Sequence, residues 1–221
     1  MKKKLLAVLL AGAMVLSLAA CGGSKEEAPA PEASAASVAE SAAEATGDSD
    51  LADKVVGVCI YQFADNFMTL FRTELQSYLE AQGFATANIK IMDGANDQAT
   101  QSGQIDNFIA EGVDVLIINP VNSSSASTIT DKVVAANIPL VYINREPAAE
   151  EEARWEENGW NVCYVGCDAR QSGTMQGEII ADLGLEKVDL NGNGKIDYIM
   201  IEGDPENVDA QYRTEFSIKA L

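Results

Sequence analysis

Val55-Val56-Gly57-Val58-Cys59-Ile60-Tyr61 is a continuous apolar run, mostly β-branched and holding one glycine. A strand covered on both faces reads this way, because it has no solvent side to make polar. Directly after it, Phe67, Leu70, Phe71, Leu75, Tyr78 and Leu79 recur at helical spacing over 67–81, and Gly83 stands where a helix ends. The alternation continues with a strand at 89–92, a helix at 98–110 closing at Gly112, and a strand at 113–118. A helix beginning at the serines of 123–125 and running to Ala136 precedes a fourth strand at 138–143. Short connections between such units demand right-handed crossovers, hence a doubly wound α/β fold with a parallel sheet and helices on both faces. Beyond an acidic connection at 146–157, the pattern predicts a strand at 161–165, a helix at 171–183, a strand at 197–201 and a helix from near Asp209. Residues 51–145 are read as a first lobe, and 146–221 as a hinge and part of a second. One or two strands would leave an apolar sheet edge unpaired, so the chain is expected to be the front of a longer two-lobed protein.

The beginning of the chain has a different character. Lys2-Lys3-Lys4, an apolar run over 5–18 and then small residues make 1–20 a secretory signal, too short for a comfortable membrane span. From Gly22 to Asp50 the composition falls to Ala, Ser, Glu, Pro and Gly, which cannot bury enough apolar surface to offset ordering entropy. Residues 21–50 are therefore expected to be a disordered tether, and export places the folded part outside the cytoplasmic membrane.

Composition removes several classes of function. The 34 acidic against 15 basic residues give a net charge of −19, which opposes binding to nucleic acid or to anionic lipid. There is no histidine, so His-based catalysis and His-ligated zinc are excluded. Cys59, Cys163 and Cys167 lie in apolar runs and are expected to be buried free thiols. Cys163 and Cys167 would share a strand face roughly 13 Å apart, too far to bridge.

Asp189-Leu190-Asn191-Gly192-Asn193-Gly194-Lys195-Ile196-Asp197 carries an oxygen-bearing side chain at every second position until a glycine intervenes. The side chains of Asp189, Asn191, Asn193 and Asp197, with the Lys195 carbonyl, offer five oxygens to a hard cation such as Ca²⁺. Gly194 falls where the sharp turn needs no Cβ. The twelfth position, which usually supplies a bidentate Glu, is Met200, so the closing carboxylate must come from elsewhere. The alternative is an Asn/Gly-rich turn between a helix and a strand.

In open parallel sheets, ligands sit beyond the carboxyl ends of the strands. Those ends carry Asp65, Asn66 and Phe67, then Asn119, then Asn144 and Arg145, then Asn207, Asp209 and Arg213. Amides, carboxylates, guanidinium groups and a ring suit a polyhydroxylated ligand, whose hydroxyls both donate and accept while its C–H face stacks. Asp65 and Asp209 also suit helix N-caps. The turn at 62–66 has no glycine and an acid where a phosphate would approach, which disfavours a nucleotide-dependent enzyme.

Several motifs together resemble a known family. They are Ile60-Tyr61-Gln62-Phe63-Ala64-Asp65-Asn66-Phe67-Met68, Asn96-Asp97-Gln98 with Gln104-Ile105-Asp106, and Ile118-Asn119-Pro120-Val121. Ile143-Asn144-Arg145-Glu146-Pro147, Tyr164-Val165-Gly166, and Gly203-Asp204-Pro205 with Asp209 and Arg213 extend the match, as does the cation loop. The chain resembles the galactose/glucose-binding proteins of sugar ABC transporters, in lipoprotein form. Leu18-Ala19-Ala20-Cys21 resembles a lipobox, implying a lipid on Cys21 and a lipid-anchored, extracytoplasmic location. The resemblance implies a monomeric, non-enzymatic binding protein that delivers a monosaccharide to a membrane-embedded ABC permease. Asp65 would accept the O4 hydroxyl, Phe67 would stack on the pyranose, and Asn119 would contact a ring hydroxyl. Asp209 and Arg213 would grip from the second lobe, and Ca²⁺ would be structural. The family usually has His where this chain has Asn207, an amide donor of different reach. Ribose, xylose or a signalling furanose are the alternative ligands. The effector lobe of a repressor, similar in fold, is opposed by the signal peptide and lipobox.

Overall fold

The computed structural model describes residues 50–221. The signal segment, the tether up to residue 49 and Cys21 lie outside the described residues.

Five parallel strands, β1 (Val56–Ile60), β2 (Ile89–Asp93), β3 (Val115–Ile118), β4 (Leu140–Ile143) and β5 (Val162–Val165), form one sheet in the order β2-β1-β3-β4-β5. Seven α-helices accompany them among the described residues. They are α1 (Asn66–Gln82), α2 (Gln98–Glu111), α3 (Ala126–Ala135), α4 (Ala149–Asn158), α5 (Ala169–Asp182), α6 (Leu185–Val188) and α7 (Val208–Ala220). Every residue of β1 is buried, as its uninterrupted apolar run requires. Neighbouring residues of β3 point to opposite faces. Leu116 and Ile118 join Ile105 and Phe108 of α2, Ile129 and Val133 of α3, and Trp155 of α4. Ile117 joins Met68 and Leu79 of α1 on the other face. Each such fully buried aliphatic side chain contributes about 1.5–3 kcal/mol relative to exposure. The helices close at Gly83 and Gly112, as their sequence spacing predicts.

Four expectations need correction. The acidic run is not a bare connection: it forms α4, with Glu150, Glu151 and Glu152 in the first turn, where carboxylates meet the positive end of the helix dipole. Trp155 of α4 stacks on Tyr142 at 5.3 Å and 7° between planes. The sheet does not end at residue 145, because β5 pairs in parallel with β4, Leu140 opposite Val162 through Ile143 opposite Val165. Residues 197–201 do not form a strand. Ile199 and Ile201 are 93% and 89% exposed, and among the described residues no strand lies beside them to take the backbone hydrogen bonds a strand needs. Finally, among the described residues only Cys59 is a buried thiol. Cys163, on the edge strand β5, and Cys167, in the turn after it, are exposed free thiols. Burial pushes the Cys59 thiol up to about 12.

Helices α5 and α7 pack backbone to backbone through two glycines one turn apart. A Cβ on Gly173 would lie 2.7 Å from the Arg213 carbonyl oxygen, and one on Gly177 would lie 2.5 Å from that of Ser217. This contact fixes α7, and with it Asp209 and Arg213, against the segment that follows β5.

Candidate functional site

The site begins with the turn after β1. Asp65 caps α1, its Oδ1 accepting the Met68 N–H at 2.7 Å while its Oδ2 accepts the Tyr61 hydroxyl at 2.8 Å. These donors, the Met68 N–H foremost, hold the Asp65 carboxyl below its ordinary value, so it remains ionised. The turn is pinned from β2, where Asp93 Oδ1 accepts the N–H groups of Phe63 and Ala95, both at 2.9 Å. Phe67 is 59% exposed, its ring tilted against Phe71 with centroids 6.1 Å apart.

Asn119, at the end of β3, is fully buried and ties three strand ends together. Its Oδ1 accepts the Tyr61 N–H at 3.2 Å, and its Nδ2 donates to the Ile143 carbonyl at 3.1 Å and to Asn144 Oδ1 at 3.2 Å. Both amide hydrogens therefore have protein acceptors. After β4, Asn144 adopts a positive φ of 65°, which turns the chain so that Arg145 folds back over the sheet end. The Arg145 guanidinium lies 4.0 Å from the Tyr61 ring centroid and donates to the Val121 carbonyl. Its charge favours the ionised forms of both Asp65 and Asp209.

Further along the chain, Asn207 caps α7, its Oδ1 accepting the Asp209 N–H at 3.0 Å. Asp209 itself is only 4% exposed. Burial pushes its carboxyl up to about 6, opposed by the nearby charge of Arg213. Arg213 is exposed and donates from Nε to Ser172 Oγ at 3.2 Å. Ser124 Oγ, just before α3, donates to Glu206 Oε2, just before α7, at 3.1 Å. The structure thus gathers Asp65, Asn119 and Asp209 at the carboxyl ends of the strands, around Arg145, with Arg213 beside Asp209 on α7. A cavity of about 490 Å³ lies elsewhere, beside Trp155, Trp160 and Cys163, and none of the six expected ligand residues lines it.

Tyr61, Glu146 and Tyr164 also belong to this cluster, and sequence reasoning passed over their roles. Tyr164 Oη donates to the Asn144 carbonyl at 3.1 Å, and Glu146 accepts from Arg170 Nη2 at 3.0 Å. The available signal was an acid, Glu146, three residues past an apolar strand and just before a proline.

The 189–197 loop curls on itself. Asp197 Oδ2 lies 2.6 Å from Asn191 Nδ2 and 2.7 Å from Asn193 Nδ2, while Asp189 accepts the N–H groups of Asn193 and Gly194 at 3.0 and 2.7 Å. Gly192 and Gly194 have φ of 72° and 77°, which only glycine adopts freely. Four of the five expected ligating residues thus face one centre. The Oδ1 atoms of Asn191 and Asn193 accept the N–H groups of Asn193 and Lys195 at 3.1 and 2.8 Å, so the loop is held by its own hydrogen bonds. Among the described residues, no group of three or more His, Cys, Asp or Glu side chains is placed to hold a metal, and the loop itself carries two carboxylates, Asp189 and Asp197.

Residues 56–221 match the periplasmic binding protein domain. The chain belongs to this family. Over 172 residues it is 37% identical to the D-galactose/methyl-galactoside binding periplasmic protein MglB of Haemophilus influenzae, covering 77% of this chain and 50% of that protein. It is 33% identical to a putative rhizopine-binding protein of Rhizobium meliloti, over 73% of this chain and 48% of the relative. Among solved structures, an ABC transporter solute binding protein from Bacillus halodurans with bound myo-inositol superposes with a TM-score of 0.63 at 29% identity, covering 79% of this chain and 53% of that one. This periplasmic binding protein chain spans about half the length of the relatives it matches.

Proposed function

We propose that this periplasmic binding protein captures galactose or glucose in a cleft between two halves and presents it to an ABC permease. The observation that carries the reading is the Arg145 guanidinium, 4.0 Å from the centroid of the Tyr61 ring whose hydroxyl holds Asp65, and near enough to Asp209 to favour its charge. A hydroxylated ring between them would accept from guanidinium groups and donate to carboxylates at once. Contacts made from both halves favour the closed state, because a ligand shifts an equilibrium only by what it gains in one state over the other. Phe67, exposed beside Asp65, offers its ring to the C–H face of a pyranose, and Arg213 adds a donor from α7. A calcium ion held by Asp189, Asn191, Asn193, the Lys195 carbonyl and Asp197 would stiffen the loop after α6. A lipid on Cys21 would keep the protein near the permease at raised effective concentration.

Calorimetric titration of the intact protein with galactose and glucose tests the assignment. Saturable binding of either is expected, and no heat from either at millimolar concentration rejects it. One observation favours a wider sugar range: the Asn207 carbonyl is committed to capping α7, leaving only its amide hydrogens for a ligand. A thermal-shift panel that adds myo-inositol, ribose, xylose and galactofuranose separates these, since only true ligands raise Tm.

A further inference from the structure

Glu146 and Asp209 share an unusual condition. Each is 4% exposed, and each keeps one carboxylate oxygen, Oε2 of Glu146 and Oδ1 of Asp209, without a hydrogen-bond partner. A buried acceptor left unpaired is costly and rare, and a pair of them in one place calls for an explanation. The two are neighbours: Arg170, which holds Glu146, also lies 4.5 Å from the ring centroid of Tyr212, one turn along α7 from Asp209, and the Glu146 backbone favours the ionised form of Asp209. They also come from different elements: Glu146 follows β4, whereas Asp209 heads α7. The second oxygen of Glu146 is held by Arg170 Nη2 at 3.0 Å, which orients the carboxylate and leaves Oε2 free.

The charges around the pair narrow what it would take. Arg145 and Arg213 act on Asp209, and Arg170 on Glu146 as well as Asp168, so guanidinium groups already surround the pair and a metal cation gains little there. Tyr164 responds to the charge of both acids, which places its hydroxyl at the same centre, but that hydrogen is given to the Asn144 carbonyl. The missing partners are therefore neutral donors. Two acceptor oxygens side by side match two adjacent hydroxyls of a polyol.

We propose that Glu146 is a ligand-contacting residue which, together with Asp209, accepts hydrogen bonds from neighbouring hydroxyls of the bound sugar. This rests on the sugar-binding reading and deepens it, adding a contact at the junction where the chain passes from the first half to the second. Hydroxyls bound there stitch β4 to α7 and so favour closure.

The test is the near-isosteric Glu146→Gln in the intact protein, titrated calorimetrically with galactose, glucose and their monodeoxy analogues. A carboxylate hydrogen bond lost from a buried site lowers affinity by about 10-fold or more. That loss is expected for the parent sugar and should nearly vanish for the one deoxy analogue lacking the hydroxyl Glu146 receives. Binding of every sugar as in the wild type overturns the proposal. So does an equal loss across the parent and all analogues, the mark of a merely structural role. Should E146Q melt well below the wild type, Glu146→Asp, which keeps the charge at shorter reach, must show the same non-additive pattern. A wild type that binds no sugar overturns the functional assignment along with this contact, whereas normal wild-type binding with an indifferent E146Q overturns this contact alone.

Discussion

The Tyr61 hydroxyl donates to Asp65 Oδ2 at 2.8 Å across the turn that follows β1, while the same ring carries the Arg145 guanidinium 4.0 Å from its centroid. One side chain thereby orients an acid on one side and a cation on the other. Tyr61→Phe keeps the ring and its cation contact but removes the donor to Asp65. Because one hydrogen bond to a charged acceptor is worth about 1.5–3 kcal/mol, sugar affinity is expected to fall about 10-fold or more. Titration calorimetry reads the affinity, and a single cooperative thermal transition would show that the fold is intact.

Asn119 carries a different kind of load. Its amide joins the ends of β1 and β4 from β3, wholly out of solvent. Asn119→Leu has similar volume but leaves the Tyr61 N–H without its present acceptor and the Ile143 carbonyl without its donor. Urea unfolding should show a loss of about 2–4 kcal/mol, well above a typical surface substitution.

Asp209 sets a pH dependence. Its carboxyl is raised from an ordinary 3.8 to about 6 by burial, so between these values the folded state holds a proton that the unfolded chain releases. The stabilisation this represents is complete below about pH 4 and is lost as pH rises through about 6, on the order of 2–3 kcal/mol. Asp209→Asn removes the titration. The stability difference between wild type and D209N, measured by urea unfolding from pH 4 to 7, should therefore turn against the wild type as pH increases; a difference independent of pH would refute the assignment.

Calcium should stabilise the protein without touching sugar. With free Ca²⁺ a hundredfold above its Kd, the gain is about 2.7 kcal/mol, seen as a higher Tm that EDTA reverses. The double variant D189N/D197N removes both loop carboxylates and should show no response to either reagent. Its sugar affinity at saturating ligand is expected to match that of the calcium-free wild type.

Most of the sheet was legible in the chain because burial on both faces leaves an uninterrupted apolar signature, as in 55–61, and because Gly83 and Gly112 end helices by local backbone geometry. The α4 helix was harder to see. Its outward face is so densely acidic that the two inward residues, Glu151 and Trp155, are outnumbered, although Gly159 marked its end. The segment 197–201 shows the converse: its sequence has strand character, but a strand exists only when another lies alongside to pair with it.

The sequence by itself determined the alternation of strands and helices, the polar residues at their carboxyl ends, the oxygen-rich loop and the absence of histidine chemistry, since each of these is local pattern or composition. Only the tertiary structure decided that Asn119 is a clasp between strands, that Arg145 faces Asp65 and Asp209 together, and that Glu146 meets Asp209 with an unpaired oxygen on each. These are relations between residues up to 144 positions apart, from Asp65 to Asp209, and burial and charge balance at such a meeting point come from packing.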